Sequence, residues 1–379
     1  MTRASDTAKL LGAGGSILGS LDIGGGQIGG RRNIAYNGAM NVSQRGNQNT
    51  SDGYNAFGVD RFSLYLRGGA AATVSQDTDV PAGQGFSSSC KIDITTGDAL
   101  GVANDLALFR QTFEGQDLQQ LKKGTSNAEK VTVSFWIKST ITGTYILELL
   151  DNDNTRGISK SYTVSSSNTW EHKTITFEGD TTGAFDNDNL LSLYLMWGLG
   201  VGTDYKGETL STSWASISDS DARYEGQVNA VNSASNNIYF TGIQMELGSV
   251  ATPFEHLSFG ETLTLAQRYF ETSYVVGTAI GASSQHSKGP VFANAHTNNA
   301  YNSAGEPRWN TRKRATPTVA IYNANTGTVN SVYNHDSGAS KAISSITDIS
   351  EVGFGLIYHA SAMGAGYRYQ YHYTADSEL

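Results

Sequence analysis

The chain has 379 residues with a formal net charge of −9, and only 16% of its residues are charged. This charge argues against a nucleic-acid-binding surface, and the chain has no apolar run of about 18 residues that would insert into a membrane. It is rich in glycine (43) and tyrosine (19), has 5 prolines, and its one cysteine, Cys90, excludes an intrachain disulfide. The glycine content and the low charge predict an all-β protein with many tight turns.

The first segment, residues 1–32, differs in composition from the rest of the chain. It contains a short helix-like stretch, "ASDTAKLL", followed by the glycine-rich "GAGGSILGSLDIGGGQIGG". So few apolar side chains do not bury a core on their own. We therefore interpret this segment as an arm that becomes ordered only against a partner.

Residues 33–258 carry repeated strand signals. The stretch "KVTVSFWIKST" alternates, with Val131, Val133, Phe135 and Ile137 on one face and polar residues together with Trp136 on the other. Further strand-like stretches follow at intervals of about ten to twenty residues, a spacing typical of a β-sandwich of jelly-roll type. One stretch, "EGQDLQQLKKG" at 114–124, has the acids, leucine spacing and final glycine of a short helix.

Residues 259–379 open with a second helical stretch at 260–274 that runs into a strand, and strand signals then continue to the end. The predicted fold is therefore all-β. It consists of tandem β-sandwiches, a central jelly roll (33–258) and a smaller C-terminal β-sandwich (259–379), preceded by a short N-terminal attachment segment (1–32).

The tetrapeptide "DNDN" occurs twice, at 151–154 and 186–189. Counted from Asp151, the calcium loop of an EF-hand would need glycine where Arg156 stands and glutamate where Tyr162 stands. Asp and Asn favour turns because their side chains bond the nearby backbone. We interpret both copies as turns between strands and assign no metal ligands; a structural calcium ion held by the loop carboxylates is the alternative.

No catalytic motif stands out. The chain has no nucleophile elbow, zinc-binding helix motif or phosphate-binding loop, and its seven histidines are scattered singly. We predict that the protein is not an enzyme, with no catalytic residues and no cofactor.

The aromatic residues near the end of the chain are the candidate ligand-binding residues. In "YRYQYHYTADSEL" the tyrosines alternate with polar residues and therefore share one face of a strand. That face either packs into the sandwich or forms a platform on which sugar rings stack. The candidates, with two more from the loop-like "NAYNSAGEPRWNTR", are Tyr367, Tyr369, Tyr371, Tyr373, Tyr301 and Trp309.

Several stretches together resemble a domain of structural proteins from tailed bacteriophages, particularly marine ones. The resemblance covers roughly residues 33–275 and rests on "NIAYNGAMNVSQRG", "GYNAFGVDRF", "FEGQDLQQLKKGT", "VTVSFWIKS", "WEHKTITFEGDTTG" and "IYFTGIQMELGSVATPFEHLSFGETLTLAQRYF". The opening "TRASDTAKLL" is similar to the start of phage fibre proteins, where that end attaches the fibre to the particle. The stretches "SFWIK" and "YFTGIQMEL" also resemble the jelly rolls of carbohydrate-binding modules. Those modules often have an aspartate beside a calcium ion, whereas this chain has Thr241 and Gly242.

The resemblance implies a virion structural protein, namely a trimeric tail fibre of the virion tail that is assembled in the host cytoplasm. Its N-terminus would contact tail adaptor or nozzle proteins, and its C-terminal domain would bind a host surface glycan or protein non-covalently. The implied particle-anchor residues are Arg3, Asp6, Leu10 and Leu11. A capsid decoration or head fibre, and a polysaccharide depolymerase, are the alternatives.

Overall fold

The computed structural model describes residues 31–207, 209–218, 223–294, 301–303, 307–359 and 366–379. The anchor residues Arg3, Asp6, Leu10 and Leu11 lie outside these ranges, and so does the side chain of Tyr301. Over the described ranges, no helix is long and apolar enough to cross a membrane.

The first part of the chain forms two antiparallel sheets. Its strands are β1 (Gln48–Thr50), β2 (Asn55–Val59), β3 (Phe62–Arg67), β4 (Ala71–Asp77), β5 (Ser89–Thr96), β6 (Leu106–Glu114), β7 (Val131–Ser139), β8 (Gly143–Asp151), β9 (Arg156–Val164), β10 (Glu171–Phe177), β11 (Leu191–Val201), β12 (Ala215–Ser216) and β13 (Asn237–Leu247). The six-stranded sheet has the order β1-β4-β5-β13-β7-β10, and the seven-stranded sheet has the order β12-β9-β8-β11-β6-β3-β2. This arrangement confirms the predicted jelly-roll sandwich.

The two sheets enclose one hydrophobic core, which follows from the alternation along their strands. In β7 the predicted inward residues, Val133, Phe135 and Ile137 among them, are fully buried. Trp197 of β11 lies at the centre, with its ring 5.5 Å from Phe135 and 5.7 Å from both Phe109 and Phe240. Aromatic pairs at these distances add to the gain from burial.

The second part of the chain forms a smaller sandwich. Its elements are α1 (Phe259–Gln267), β14 (Phe270–Thr272), β15 (Val291–Asn294), β16 (Tyr301–Ser303), β17 (Thr318–Asn323), β18 (Ser331–Asn334), β19 (Ser340–Thr347), β20 (Leu356–His359) and β21 (Arg368–Asp376). The central strand is β21, which pairs with β14 and β15 and with β17 and β18. Strand β19 pairs with β18 through its first half and with β20 through its second. The sheet therefore folds back on itself and encloses a second core.

Of the two predicted helices, one is confirmed and one is wrong. Helix α1 begins after Ser258, whose hydroxyl accepts a hydrogen bond from the Glu261 backbone while the Glu261 carboxylate accepts one from the Ser258 backbone. In 114–124 the chain instead forms two single 3₁₀ turns, Gly115–Asp117 and Gln119–Leu121. Leu118 and Leu121 both reach the sandwich core through these turns, and Lys122 then takes a left-handed backbone conformation that ends the second turn.

The two sandwiches are joined by a junction that contains buried charges. Glu378, just after β21, receives hydrogen bonds from Arg61 and Arg45 of the first sandwich. The guanidinium of Arg61 also lies 3.4 Å from the ring centre of Tyr269, and Gln44 donates to the Phe270 carbonyl at 2.8 Å. A hydrogen-bonded, desolvated interface of this kind holds two modules in one orientation.

Two buried histidines are expected to make the C-terminal sandwich sensitive to acid. Burial, assisted by Lys341, lowers the pKa of His359 to about 4, and burial also lowers the pKa of His372. An unfolded histidine titrates near 6.5. Because the folded pKa is the lower one, the contribution of each neutral histidine to stability is complete above about pH 6.5 and is lost as the pH falls through the folded pKa.

We therefore expect the urea midpoint to fall between pH 7 and pH 5, and His359→Gln to flatten that fall. Asp60 acts in the opposite direction, because burial raises its pKa to about 6 and its contribution is lost as the pH rises through that value. The informative quantity is therefore the difference in pH dependence between wild type and variant. Identical pH profiles would contradict this assignment.

Candidate functional site

The structure places the proposed tyrosine platform in the core. Tyr369, Tyr371 and Tyr373 are 2%, 0% and 5% exposed, while Tyr367, before β21, is 42% exposed. The Tyr373 hydroxyl donates to the buried Glu271 carboxylate at 3.1 Å. These three tyrosines therefore pack inside the C-terminal sandwich, the first of the two alternatives, and offer no surface to a ligand.

The other face of β21 is covered as well. The ring of His372 stacks on that of Tyr274 with centroids 4.2 Å apart, and its Nε2 lies 3.2 Å from the Gln285 carbonyl. Gln370 donates to the His286 carbonyl. Strand β21 is thus buried on both faces, because the second core lies against its tyrosine side and residues 274–286 lie over its polar side.

Trp309 is also a core residue. It is 7% exposed, its Nε1 donates to the Ser350 carbonyl at 2.9 Å, and its ring contacts Tyr373 and Phe354. This residue forms part of the second core and does not present a binding surface.

Half-buried aromatic rings and two exposed histidines instead gather on the outer face of the six-stranded sheet, where they surround a groove of about 470 Å³. Trp136 of β7 lies opposite His172 of β10, with ring centroids 5.1 Å apart. Across the groove, the rings of Phe86, Phe254 and His256 contact one another at 4.8–5.3 Å. We call this surface the aromatic face; it consists of Phe86, Trp136, His172, Phe254 and His256, together with the neighbouring Trp170 and Tyr239.

A glycine makes the floor of the groove possible. Gly242 lies at the irregularity in the β13–β7 pairing between Thr241 and Gln244 and has φ +62°. A Cβ on Gly242 would lie 2.6 Å from the Phe86 ring and 3.0 Å from the Trp136 ring. The two rings therefore reach the floor of the groove only because this residue has no side chain.

We expect Gly242→Ala to displace the rings of Phe86 and Trp136 and to destabilise the chain. The left-handed backbone costs an L-residue roughly 1–2 kcal/mol, and the clash adds to that cost. The matched control is Gly46→Ala, with φ +67° and no atom within 4 Å of the added Cβ. Both variants should melt earlier, but only Gly242→Ala should shift the tryptophan emission. An unchanged emission in Gly242→Ala would contradict this view of the groove.

A second aromatic row extends the face along the same strands. Tyr239 lies opposite Lys138 in the β13–β7 pairing, two residues along from Trp136, and the Lys138 ammonium is 4.3 Å from the Tyr239 ring centre. Trp170 donates its Nε1 proton to Asp79 at 2.9 Å, and Asp79 also accepts from Lys138. Because two residues of a strand span about 7 Å, the two rows could contact successive units of one chain-like ligand.

The aromatic face is close to uncharged where its rings meet. Partial burial, followed by the neighbouring Lys173, lowers the pKa of His172, so its imidazole is neutral at physiological pH. Partial burial tends to raise the pKa of Asp79, but the hydrogen bonds from Lys138 and Trp170 outweigh this effect. The pKa of Asp79 is therefore lowered. Flat rings with a few fixed polar groups favour a neutral, ring-shaped ligand with hydroxyl groups.

Both DNDN segments are turns, as predicted. Strand β8 ends at Asp151 and β9 begins at Arg156, while the second copy lies between β10 and β11. Asp151 is fully buried and pairs with the Lys123 ammonium at 2.5 Å, so a side-chain cation already occupies the position next to this carboxylate. In the part of the chain that the structure describes, no group of three His, Cys, Asp or Glu residues could hold a metal ion.

The sequence contained one signal for the aromatic face, namely a tryptophan on the polar side of the β7 alternation. Its partners come from four other segments: the 81–88 loop, residues 170–172, β13 and the 252–256 loop. Only the strand register brings Trp136 and His172 opposite each other.

No protein-family model matches this chain, and no curated protein matches it. Among solved structures it is similar to the enzymatically active domain of bacteriophage CBA120 tailspike protein 4, with 16% identity, a TM-score of 0.32, and coverage of 57% of this chain and 21% of that one. It is also similar to a family 11 carbohydrate-binding module of a Clostridium thermocellum cellulosomal cellulase (15% identity, TM-score 0.27, 55% and 99% covered). A third is a xylan-binding domain from Paenibacillus barcinonensis (12% identity, TM-score 0.28, 59% and 100% covered). The chain thus spans about a fifth of the tailspike domain, and likeness at this level assigns neither a family nor a ligand.

Proposed function

We propose that this protein is a non-catalytic glycan-binding protein whose aromatic face takes the sugar rings. The observation that carries the proposal is the groove in which Trp136 and His172 face Phe86, Phe254 and His256. Sugar rings present apolar C–H faces that stack on aromatic side chains, while nearby polar groups hold their hydroxyls. The groove offers such polar groups in Gln84, Ser134 and Thr252.

The proposal extends to the biological setting that the sequence resemblance suggests. The protein would be a virion structural protein, a phage tail fibre in the virion tail that is assembled in the host cytoplasm. Residues 1–32, with Arg3, Asp6, Leu10 and Leu11, would attach it to tail adaptor proteins. The host contact would involve the jelly roll instead of the C-terminal tyrosines, because the latter are buried.

An open groove of this kind suits weak binding by each copy. In a homotrimer, three grooves on one particle would act together, and several weak sites bind a surface far more tightly than one site does. The junction between the sandwiches holds the groove in a fixed orientation relative to the C-terminal sandwich.

The test is retention of the protein by immobilised host-envelope polysaccharide. We expect Trp136→Ala to weaken retention by about tenfold or more, since loss of a stacked ring costs about 1–3 kcal/mol. The matched control is Tyr54→Ala, because Tyr54 is 71% exposed and lies outside the aromatic face. Equal retention of the two variants would refute the proposed site, and release of oligosaccharide by the wild-type protein would refute the non-catalytic assignment.

A further inference from the structure

A separate feature lies on the outer face of the seven-stranded sheet, on the opposite side of the jelly roll from the aromatic face. Arg110 of β6 points outward there, with its guanidinium carbon 4.8 Å from the Tyr65 ring centre and 5.4 Å from the Tyr194 ring centre. Tyr65 belongs to β3 and Tyr194 to β11, the strands on either side of β6. The cation therefore lies between two half-buried tyrosine rings.

The hydrogen bonds of Arg110 are incomplete. Its Nη2 donates to the exposed Asn55 side chain at 2.8 Å, whereas its buried Nε has no partner. Among the described residues, no carboxylate forms an ion pair with Arg110, and the ionisable groups that surround it are tyrosines. The neighbouring Arg223, by contrast, forms two hydrogen bonds with Glu148.

This lack of an acidic partner is costly to the folded chain. Burial lowers the pKa of Arg110, which reflects the removal of its charge from water without a carboxylate to compensate. Arg314, another half-buried arginine without an ion pair, donates to backbone carbonyls instead, whereas the buried Nε of Arg110 has no acceptor. Residues that cost stability are commonly retained because function needs them.

We propose that Arg110, Tyr65 and Tyr194 form a second binding site, which takes the carboxylate of an acidic sugar. The planar guanidinium matches a carboxylate through parallel hydrogen bonds. The tyrosine rings on either side supply the surface on which the sugar ring rests. The inference rests on the proposed function only in that the ligand is a glycan; the residues and the sheet are different.

The test is calorimetric titration of the full chain with three probes: a galacturonic acid tetrasaccharide, its carboxyl-reduced neutral counterpart, and inorganic sulfate. We expect Arg110→Gln to weaken binding of the acidic tetrasaccharide by about tenfold or more, and Arg110→Lys to restore it only in part. Binding of the neutral tetrasaccharide should be unchanged in both variants, and the acidic tetrasaccharide should bind less tightly as salt is added.

Trp136→Ala separates this inference from the proposed function. If it abolishes binding of the acidic sugar while Arg110→Gln does not, the aromatic face is the glycan site and the second site does not exist. If only Arg110→Gln abolishes it and no neutral sugar binds, the second site is supported and the aromatic face is not. No binding of the acidic sugar to wild type, or sulfate binding as tightly as that sugar, would overturn the inference.

Arg110→Met tests whether a loss of binding could come from loss of the fold. Because its buried Nε is unpaired, an apolar side chain of similar length should leave the melting temperature unchanged or raise it. A folded variant with unaltered binding of the acidic sugar would likewise overturn the inference.

Discussion

Replacing Glu378 by alanine is expected to lower the free energy of unfolding by about 3–5 kcal/mol, the cost of leaving a buried charge without its partner. The Arg61 side chain is fully buried, and the Glu378 carboxylate is the acid that receives its Nη1 hydrogen bond. Arg45 would lose the same acid, although Asp60 and Asp376 remain near it. A urea denaturation curve measures the loss.

The double variant Arg61→Met/Glu378→Met separates the removal of one charge from the removal of both. Two apolar side chains should recover most of the lost stability, because a buried ion pair contributes little beyond its own desolvation cost. The control is Glu351→Ala, since its partner Arg312 is 71% exposed, and such a surface pair is worth less than about 1 kcal/mol. A loss from Glu378→Ala no larger than from Glu351→Ala would show that the junction is not held by this pair.

Glu148→Ala is expected to have a second effect of similar size, about 3–5 kcal/mol. The Glu148 carboxylate is fully buried on the outer side of the seven-stranded sheet and accepts hydrogen bonds from Arg223 at 2.6 and 2.8 Å and from the Tyr224 hydroxyl at 2.6 Å. Its loss would leave a buried guanidinium and a buried hydroxyl without an acceptor.

The consequence of that loss should be local. Residues 223–228 cover a hydrophobic cluster on the sheet that includes Ile146, Met196 and Tyr205, and Val228 donates to the Thr144 carbonyl. Hydrogen exchange in Glu148→Ala should therefore rise first in 223–228. The control, Glu178→Ala, removes a pair whose two side chains are 48% and 60% exposed and should change little. Uniform exchange across the chain in Glu148→Ala would contradict the assigned role.

The junction and the covered sheet face have a shared functional consequence. In both places, buried charged side chains hold neighbouring segments in one arrangement. Neither place lies on the outer face of the six-stranded sheet, where the groove is. The aromatic face consequently stays open on a rigid support, which suits a binding surface.

How much the sequence predicted depends on the range of the interactions involved. Local alternation was sufficient for β7, and the Asp and Asn residues were sufficient for both turns. The stretch 114–124 was predicted as a helix because its leucine spacing is helical, whereas the tertiary fold uses the same two leucines from 3₁₀ turns. The tyrosines of β21 alternate correctly, but their burial depends on strands far away in the chain. The same holds for the aromatic face, whose rings come from five separate segments.

The most direct test of the account is a crystal structure of the full chain with an oligosaccharide from the host surface. We predict sugar rings stacked over Trp136 and His172, with further units extending toward Tyr239 and Trp170. A sugar bound elsewhere, with the groove between Trp136 and Phe86 empty, would contradict it.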